Sequence, residues 1–386
     1  MKTMRTALIL ALLALSATVS SARTWLVAKD GIGDFTVIQD AVDAAADGDT
    51  IRIGPGRFDD FREETYTPSV TRDTCVRIAD KGLALIGSGQ DVTFIGTEDG
   101  SYNCSLEIPW GIYINTMSES VHLSDLTLEN MGYGIVWQQH DVHLERMTFR
   151  NCCIGMVVWA LQGGWIRDCR FYGGSMEGIR VMTCETQLDI SRTYHDGGGF
   201  GQAISVNWST NVNIDDCTSV NQRVGIGYSD GSTGSVRNST VQCIWTGLYA
   251  NRSVVTVENC LFRGLEYKSV SASTGSILTM TDSVIQGGTG QAVRAISGSR
   301  VSIERSHILK GEGYAVWLGA YVNPPTIELE MGGNYWGTTS ADSLDAWIWD
   351  GNDDPSVHAT VNYRPFSPVP ISNERRSLGA VKSFFR

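Results

Sequence analysis

Apolar positions along this chain recur in short alternating bursts, not at helical spacing. One burst repeats between Leu126 and Ile308: Leu126-Thr127-Leu128, Met147-Thr148-Phe149, Cys169-Arg170-Phe171, Arg192-Thr193-Tyr194, Cys217-Thr218-Ser219, Ser239-Thr240-Val241, Cys260-Leu261-Phe262, Ser283-Val284-Ile285 and Ser306-His307-Ile308. Successive copies lie 21 to 25 residues apart. Most follow a turn residue, as at Asp125, Asp168, Asp216, Asn238, Asn259 and Asp282. A second burst follows each copy, a small residue and an apolar one: Gly134-Ile135, Gly155-Met156, Gly178-Ile179, Ala203-Ile204, Gly225-Ile226, Gly247-Leu248, Ala292-Val293 and Ala315-Val316. Short strands separated by turns at this period predict a solenoid with one coil per repeat.

Side chains alternate between the two faces of a strand. The pairs Ile135/Trp137, Met156/Val158, Ile179/Val181, Ile204/Val206, Ile226/Tyr228, Leu248/Ala250, Val270/Ala272, Val293/Ala295 and Val316/Leu318 therefore point inward and stack. The opposite parity places Val157, Trp159, Arg180, Met182, Ser205, Asn207, Tyr249, Asn251, Arg294 and Trp317 on one continuous outer face. Both ends of such a stack need covering. Phe35 to Ala46 carries Ile38, Ala41, Val42 and Ala45 at helical spacing, a capping helix that feeds the strand Thr50 to Ile53. Ala341 to Trp349 reads as a short helix near the other end, followed by the acidic turn Asp350 to Pro355.

The first 22 residues read as a secretory leader, with Lys2 and Arg5 before an apolar run too short to span a bilayer and a small-residue cleavage site at Ser20-Ser21-Ala22. The expected organisation is a leader over 1–22 and one solenoid over 23–370. That solenoid includes an N-terminal cap at 35–53 and a C-terminal cap at 334–370, and a basic tail at 371–386 carries Arg375, Arg376, Lys382 and Arg386. This places the protein as secreted, periplasmic or held at the cell surface, with no transmembrane segment. A formal net charge of -12 argues against nucleic acid as a partner and tilts against a polyanionic substrate.

Nine cysteines are present. Cys169, Cys217 and Cys260 share one repeat position two coils apart, about 9–10 Å, which is beyond disulfide reach. They are expected to line the interior as free thiols, packed as small hydrophobes. Cys75 and Cys104 flank an irregular early coil and are the disulfide candidates; the pairing of Cys152, Cys153, Cys184 and Cys243 stays open.

The segment from Ala28 to Val42, with Asp47-Gly48-Asp49-Thr50-Ile51, resembles the N-terminal cap of pectin methylesterases and other pectin-lyase-like right-handed parallel β-helix proteins. The repeats resemble that superfamily's degenerate coil, and Asn334-Tyr335-Trp336-Gly337 resembles the C-terminal end of secreted bacterial members. The resemblance implies an all-β, single-stranded right-handed parallel β-helix with an N-terminal capping helix. It does not choose a function, because the superfamily hosts esterases, lyases, hydrolases, epimerases and inert scaffolds. The family's catalytic motifs are not matched: Gln39-Asp40 is followed by Ala41, Gln90-Asp91 by Val92, and Asp216 of the Asp215-Asp216 pair falls at the repeat's turn position.

The outer face offers Trp159, Arg180, Asn207, Tyr249, Asn251, Arg294 and Trp317 as a carbohydrate-binding set, flat rings with amide and guanidinium donors among them. Glu177, Arg180 and Glu185 are the nearest approach to a catalytic group, and they carry chemistry only if they converge. His140-Asp141 with His143, and His195-Asp196, read as solvated turn residues, so no metal and no cofactor is expected. The expectation is an exported glycan-binding protein without a recognisable catalytic site. A diverged polysaccharide lyase, esterase or hydrolase and a structural stalk or adhesin are the alternatives, and the oligomeric state stays open.

Overall fold

The structure, a computed structural model, describes residues 22–67, 70–98, 104, 109–116, 120–138, 140–174, 176–199, 201–322 and 326–371. All of the expected leader over 1–22 but residue 22, and all of the expected tail over 371–386 but residue 371, lie outside the described residues. The chain winds as a right-handed solenoid of about 12 turns. Each regular coil contributes a strand to each of three parallel sheets. The first sheet runs through Trp110–Asn115, Tyr133–Gln138, Ile154–Trp159, Glu177–Met182, Gln202–Asn207, Lys268–Ser273, Gln291–Ile296 and Val316–Gly319, with the ends of Thr218–Ser229 and Thr240–Asn251 between them. An antiparallel pair, Arg62–Thr67 with Val70–Ala79, decorates the N-terminal end.

The inward pairs are buried as their parity requires, from Ile135 and Trp137 through Val316 and Leu318. The helix Ile38–Ala44 covers the first coil, burying Ile38, Ala41 and Val42. A second helix, Ala341–Trp347, sits near the other end and buries Leu344.

The corners have a chemistry of their own. Asp125, Arg146, Asp168, Arg192, Asp216, Asn238, Asn259, Asp282 and Arg305 all adopt left-handed backbone with φ between 47° and 61°. Asp and Asn tolerate this conformation, and an arginine one coil on pairs with the aspartate below it. Arg146 with Asp125, Arg192 with Asp168 and Arg305 with Asp282 form such pairs at 2.6–2.7 Å. In the later coils the residue after the corner turns inward and its side chain accepts an amide hydrogen from the coil before. Cys217 N donates to Ser239 Oγ (3.1 Å), Cys260 N to Ser283 Oγ (3.1 Å), Ser283 N to Ser306 Oγ (3.0 Å) and Ser306 N to Asn334 Oδ1 (2.8 Å). The cysteines in this ladder are free and buried. They are more than small hydrophobes, since Ser239 N also donates to Cys260 Sγ.

Two expectations need correction. Cys104 is bonded to Cys153 (Cα–Cα 5.7 Å), not to Cys75. Cys75 lies in the strand Val70–Ala79 with its thiol buried beside the Phe58 carbonyl. The repeat is also misaligned by one residue in one coil. Arg170 pairs with Tyr194 and Phe171 with His195, so Thr193, not Arg192, is the counterpart of Cys169. A one-residue shift exchanges the two faces of a strand. It carries His195 from a turn into the core, fully buried and stacked on Phe171 at 4.5 Å, as Phe171 stacks on Phe149 at 4.6 Å.

Candidate functional site

The outer face of the first sheet carries three columns of side chains in exact strand register. Its centre runs Arg180, Ser205, Gly227, Tyr249, Ser271, Arg294 and Trp317. One flank runs Glu177, Gln202, Val224, Thr246, Lys268 and Gln291, and the other Trp159, Met182, Asn207, Ser229, Asn251 and Ser273. Of the seven residues singled out for carbohydrate, all project from this face, but the structure spreads them along several coils.

Exposure separates the floor from its edges. Ser205 and Ser271 are buried between their neighbours, whereas Trp159 is 48% exposed and Trp208 55%. Those two indoles stand at the end where the strands leave the sheet; Trp208 occupies the left-handed corner itself, with φ 48°. At the opposite end, Trp245, within Thr240–Asn251 just before its first-sheet part, is 42% exposed, and Tyr267, just ahead of Lys268–Ser273, is 41% exposed. Arg223 lies 3.4 Å from the Trp245 ring centroid and Lys268 4.7 Å from that of Tyr267. The exposed rings thus stand at opposite ends of the strands, about 20 Å apart along the strand direction, but on different coils: Trp159 and Trp208 two to five coils before Trp245 and Tyr267.

On the floor, Asn207 Nδ2 donates to Ser205 Oγ (2.8 Å) and Ser229 Oγ donates to Asn207 Oδ1 (2.6 Å). Gly227 leaves space that Tyr249 fills. A Cβ there would lie 2.2 Å from Tyr249 Cε1, and the ring leans across the glycine so that its hydroxyl donates to Gln202 Oε1 (3.5 Å). Burial, with the nearby Glu177 carboxylate adding to it, pushes the Tyr249 hydroxyl above its ordinary range.

Of the catalytic candidates, Arg180 Nε donates to Glu177 Oε2 (2.5 Å), and the two form an ion pair on the floor. Glu185 does not join them. It is exposed in the corner beyond the far end of the same strand. A carboxylate clamped by its own guanidinium lacks the second acid that hydrolysis of a glycosidic link requires.

The second sheet has a polar outer face too, and one reading changes there. His143 lies in the strand Asp141–Arg150, not in a turn, and stacks outward with His122 and Trp165 on the adjacent coils. Glu145 is buried beside them, held by Arg146 and Arg167. Further along, Gln187 and Asn213 donate to Asp189, Ser235 donates to Asn213 and Asn238 donates to Asp215. These groups satisfy one another. Arg223, Lys268 and Arg294 on the first face have no carboxylate within ion-pairing distance among the described residues.

Trp208, Trp245, Tyr267, Lys268 and Arg223 were not among the residues expected from sequence. They sit just outside the alternating strand cores, at corner and strand-edge positions where a period-two pattern has no parity to offer.

Residues 110–250 and 224–329 match the family described as right handed beta helix region, and together these segments span more than half of the chain. The chain belongs to that family. No curated protein matches it. Among solved structures it is similar to the gp42 tailspike of Acinetobacter phage vb_AbaP_AS12, at 11% identity and a TM-score of 0.51, covering 86% of this chain and 60% of the tailspike. It is also similar to the A-module of the Azotobacter vinelandii mannuronan C-5 epimerase AlgE4, at 15% identity and a TM-score of 0.37 over 86% of this chain and 94% of that one. A third likeness is to the catalytic unit of a GH87 alpha-1,3-glucanase from Streptomyces thermodiastaticus, at 10% identity and a TM-score of 0.45 over 85% and 66%. At such identities the likeness is one of fold.

Proposed function

We propose that this protein is exported and binds a glycan along the outer face of its first sheet, without catalysing a reaction on it. The observation that carries the reading is the pair of exposed aromatic rims, Trp159 and Trp208 against Trp245 and Tyr267, bordering a floor of amide, hydroxyl and guanidinium groups. Apolar sugar faces stack on flat rings while their hydroxyls need donors and acceptors, and a face with a coil about every 4.8 Å, carrying exposed rings along its length, offers an extended saccharide successive contacts. The floor carries one carboxylate, Glu177, which its own arginine neutralises, and this supports binding over cleavage.

The test is retention of residues 23–386 on a panel of immobilised neutral and acidic polysaccharides, with release of reducing ends and of unsaturated products followed in the same samples. Retention without product, lost in Trp208→Ala and Trp245→Ala, is the expected result. Product from any polymer would overturn the non-catalytic part of the reading and direct attention to Glu177, Arg180 and Tyr249. Absence of retention on every polymer would leave a structural stalk as the better description.

A further inference from the structure

The face is not uniform along its length. Near the C-terminal coils, Lys268 and Arg294, on adjacent strands, both lie near the Tyr267 ring, 4.7 and 5.8 Å from its centroid, with Trp317 on the coil beyond Arg294. Arg294 Nη1 donates to Tyr267 Oη at 3.0 Å, and its guanidinium lies 5.1 Å from the Trp317 ring centroid. The Lys268 ammonium rests over Tyr267. Two cations held together by aromatic walls repel each other, and the remedy used elsewhere in this chain is missing here. Arg146, Arg167, Arg180, Arg192 and Arg305 each touch a carboxylate, whereas neither Lys268 nor Arg294 does among the described residues. The consequence is visible on Lys268, whose ammonium is drawn down to about 8 by burial and by Arg294. In a chain of net charge -12, this is a local basic site within an acidic molecule.

We infer that Lys268 and Arg294 form an anion subsite that takes a single carboxylate or sulfate substituent of a saccharide, with Tyr267 and Trp317 flanking the sugar ring that bears it. The inference rests on the glycan-binding reading for its saccharide, but the anion site stands on its own geometry. An arriving anion would supply the counter-charge both cations lack, and a guanidinium next to an ammonium offers five and three donors to oxygen acceptors. Along the rest of the face, from Ser205 to Asn251, uncharged groups dominate. The ligand class is therefore a glycan carrying occasional acidic residues, with neutral sugars along the serine and asparagine floor. The overall negative charge of the chain tilts against a continuous polyanion at long range.

Three probes separate this inference from the broader reading: chondroitin sulfate as an acidic glycan, laminarin as a neutral one, and sodium glucuronate alone. Lys268→Gln and Arg294→Gln, each checked by far-UV circular dichroism, should weaken chondroitin sulfate binding by about ten- to a hundred-fold, as expected for loss of a charge-assisted hydrogen bond. Laminarin binding should fall far less than chondroitin sulfate binding in both. Glucuronate should shift wild-type tryptophan or tyrosine signals and fail to do so in Arg294→Gln. Equal binding of chondroitin sulfate by wild type and both variants would overturn the anion subsite while leaving the glycan trough intact. If no polymer binds but glucuronate does, the trough reading fails and the anion site survives. If glucuronate and chondroitin sulfate are both ignored by the wild type, the subsite is refuted.

Discussion

Burying His195 makes the stability of the solenoid depend on pH in a way that one substitution isolates. Its ring is fully buried against Phe171, its Nε2 lies 3.0 Å from Thr193 Oγ1, and its Nδ1 has no hydrogen-bond partner. Burial alone drives its pKa from 6.5 down to about 3. The unfolded chain therefore binds a proton that the folded chain refuses. Its contribution to stability is intact above pH 6.5 and is lost steadily as pH falls toward 3. At pH 5 the loss relative to pH 8 amounts to about 2 kcal/mol. His195→Phe removes the titration and should fit, because Phe149 and Phe171 already occupy the equivalent place against Gly134 and Gly155. Urea unfolding of both proteins at pH 8 and pH 5 gives the difference directly. His122, His143 and His307, also held below their ordinary range by burial, titrate equally in both proteins and cancel. The stability gap should move by about 2 kcal/mol in favour of the phenylalanine protein at the lower pH. Parallel loss of stability in the two proteins would refute the assignment of His195 to the core.

Gly227→Ala should leave the melting temperature nearly unchanged, since the position faces outward, yet lower glycan retention, because the added Cβ meets the Tyr249 ring at 2.2 Å and forces it off Gln202. Ser283→Ala strips the acceptor from the Cys260 amide and should cost about 1–3 kcal/mol in urea unfolding, whereas Ser283→Cys, repeating the residue that serves at Cys260, should cost less than about 1 kcal/mol. Cys104→Ser opens a loop of sequence separation 49 and should lower stability by about 2–4 kcal/mol under oxidising conditions, with dithiothreitol reproducing the effect on the wild type.

The solenoid was legible because its core is periodic. Inward residues such as Ile179, Val181, Ile204 and Val206 repeat with a parity that burial enforces, and the corner aspartates announce the left-handed turns. The legibility failed where the period slipped. Assigning Arg192 in place of Thr193 was a reasonable reading of similar tripeptides, but the hydrogen-bonded register decides such ties, and the error moved His195 to the wrong side of the wall. The disulfide was misread for a related reason. Cys153 sits one residue after a buried Cys152 in a regular coil, and nothing in their spacing says which sulfur turns outward to meet Cys104.

The proposed binding face was half legible, and Trp208 shows what a periodic reading misses. A tryptophan in left-handed backbone pays a steric penalty of about 1–2 kcal/mol that Asn or Gly largely avoids. Here it recovers little of that through burial, since 55% of the residue remains exposed and the equivalent corner in neighbouring coils is Thr183, Asp230 and Arg252. A large apolar ring in this conformation and half exposed contributes little to folding, which is why it is placed on the proposed rim. Trp208→Asn should therefore raise stability by up to about 1 kcal/mol in urea unfolding while reducing glycan retention. A loss of stability would show that the indole packs for the fold, and unchanged retention in a stabilised protein would remove Trp208 from the rim.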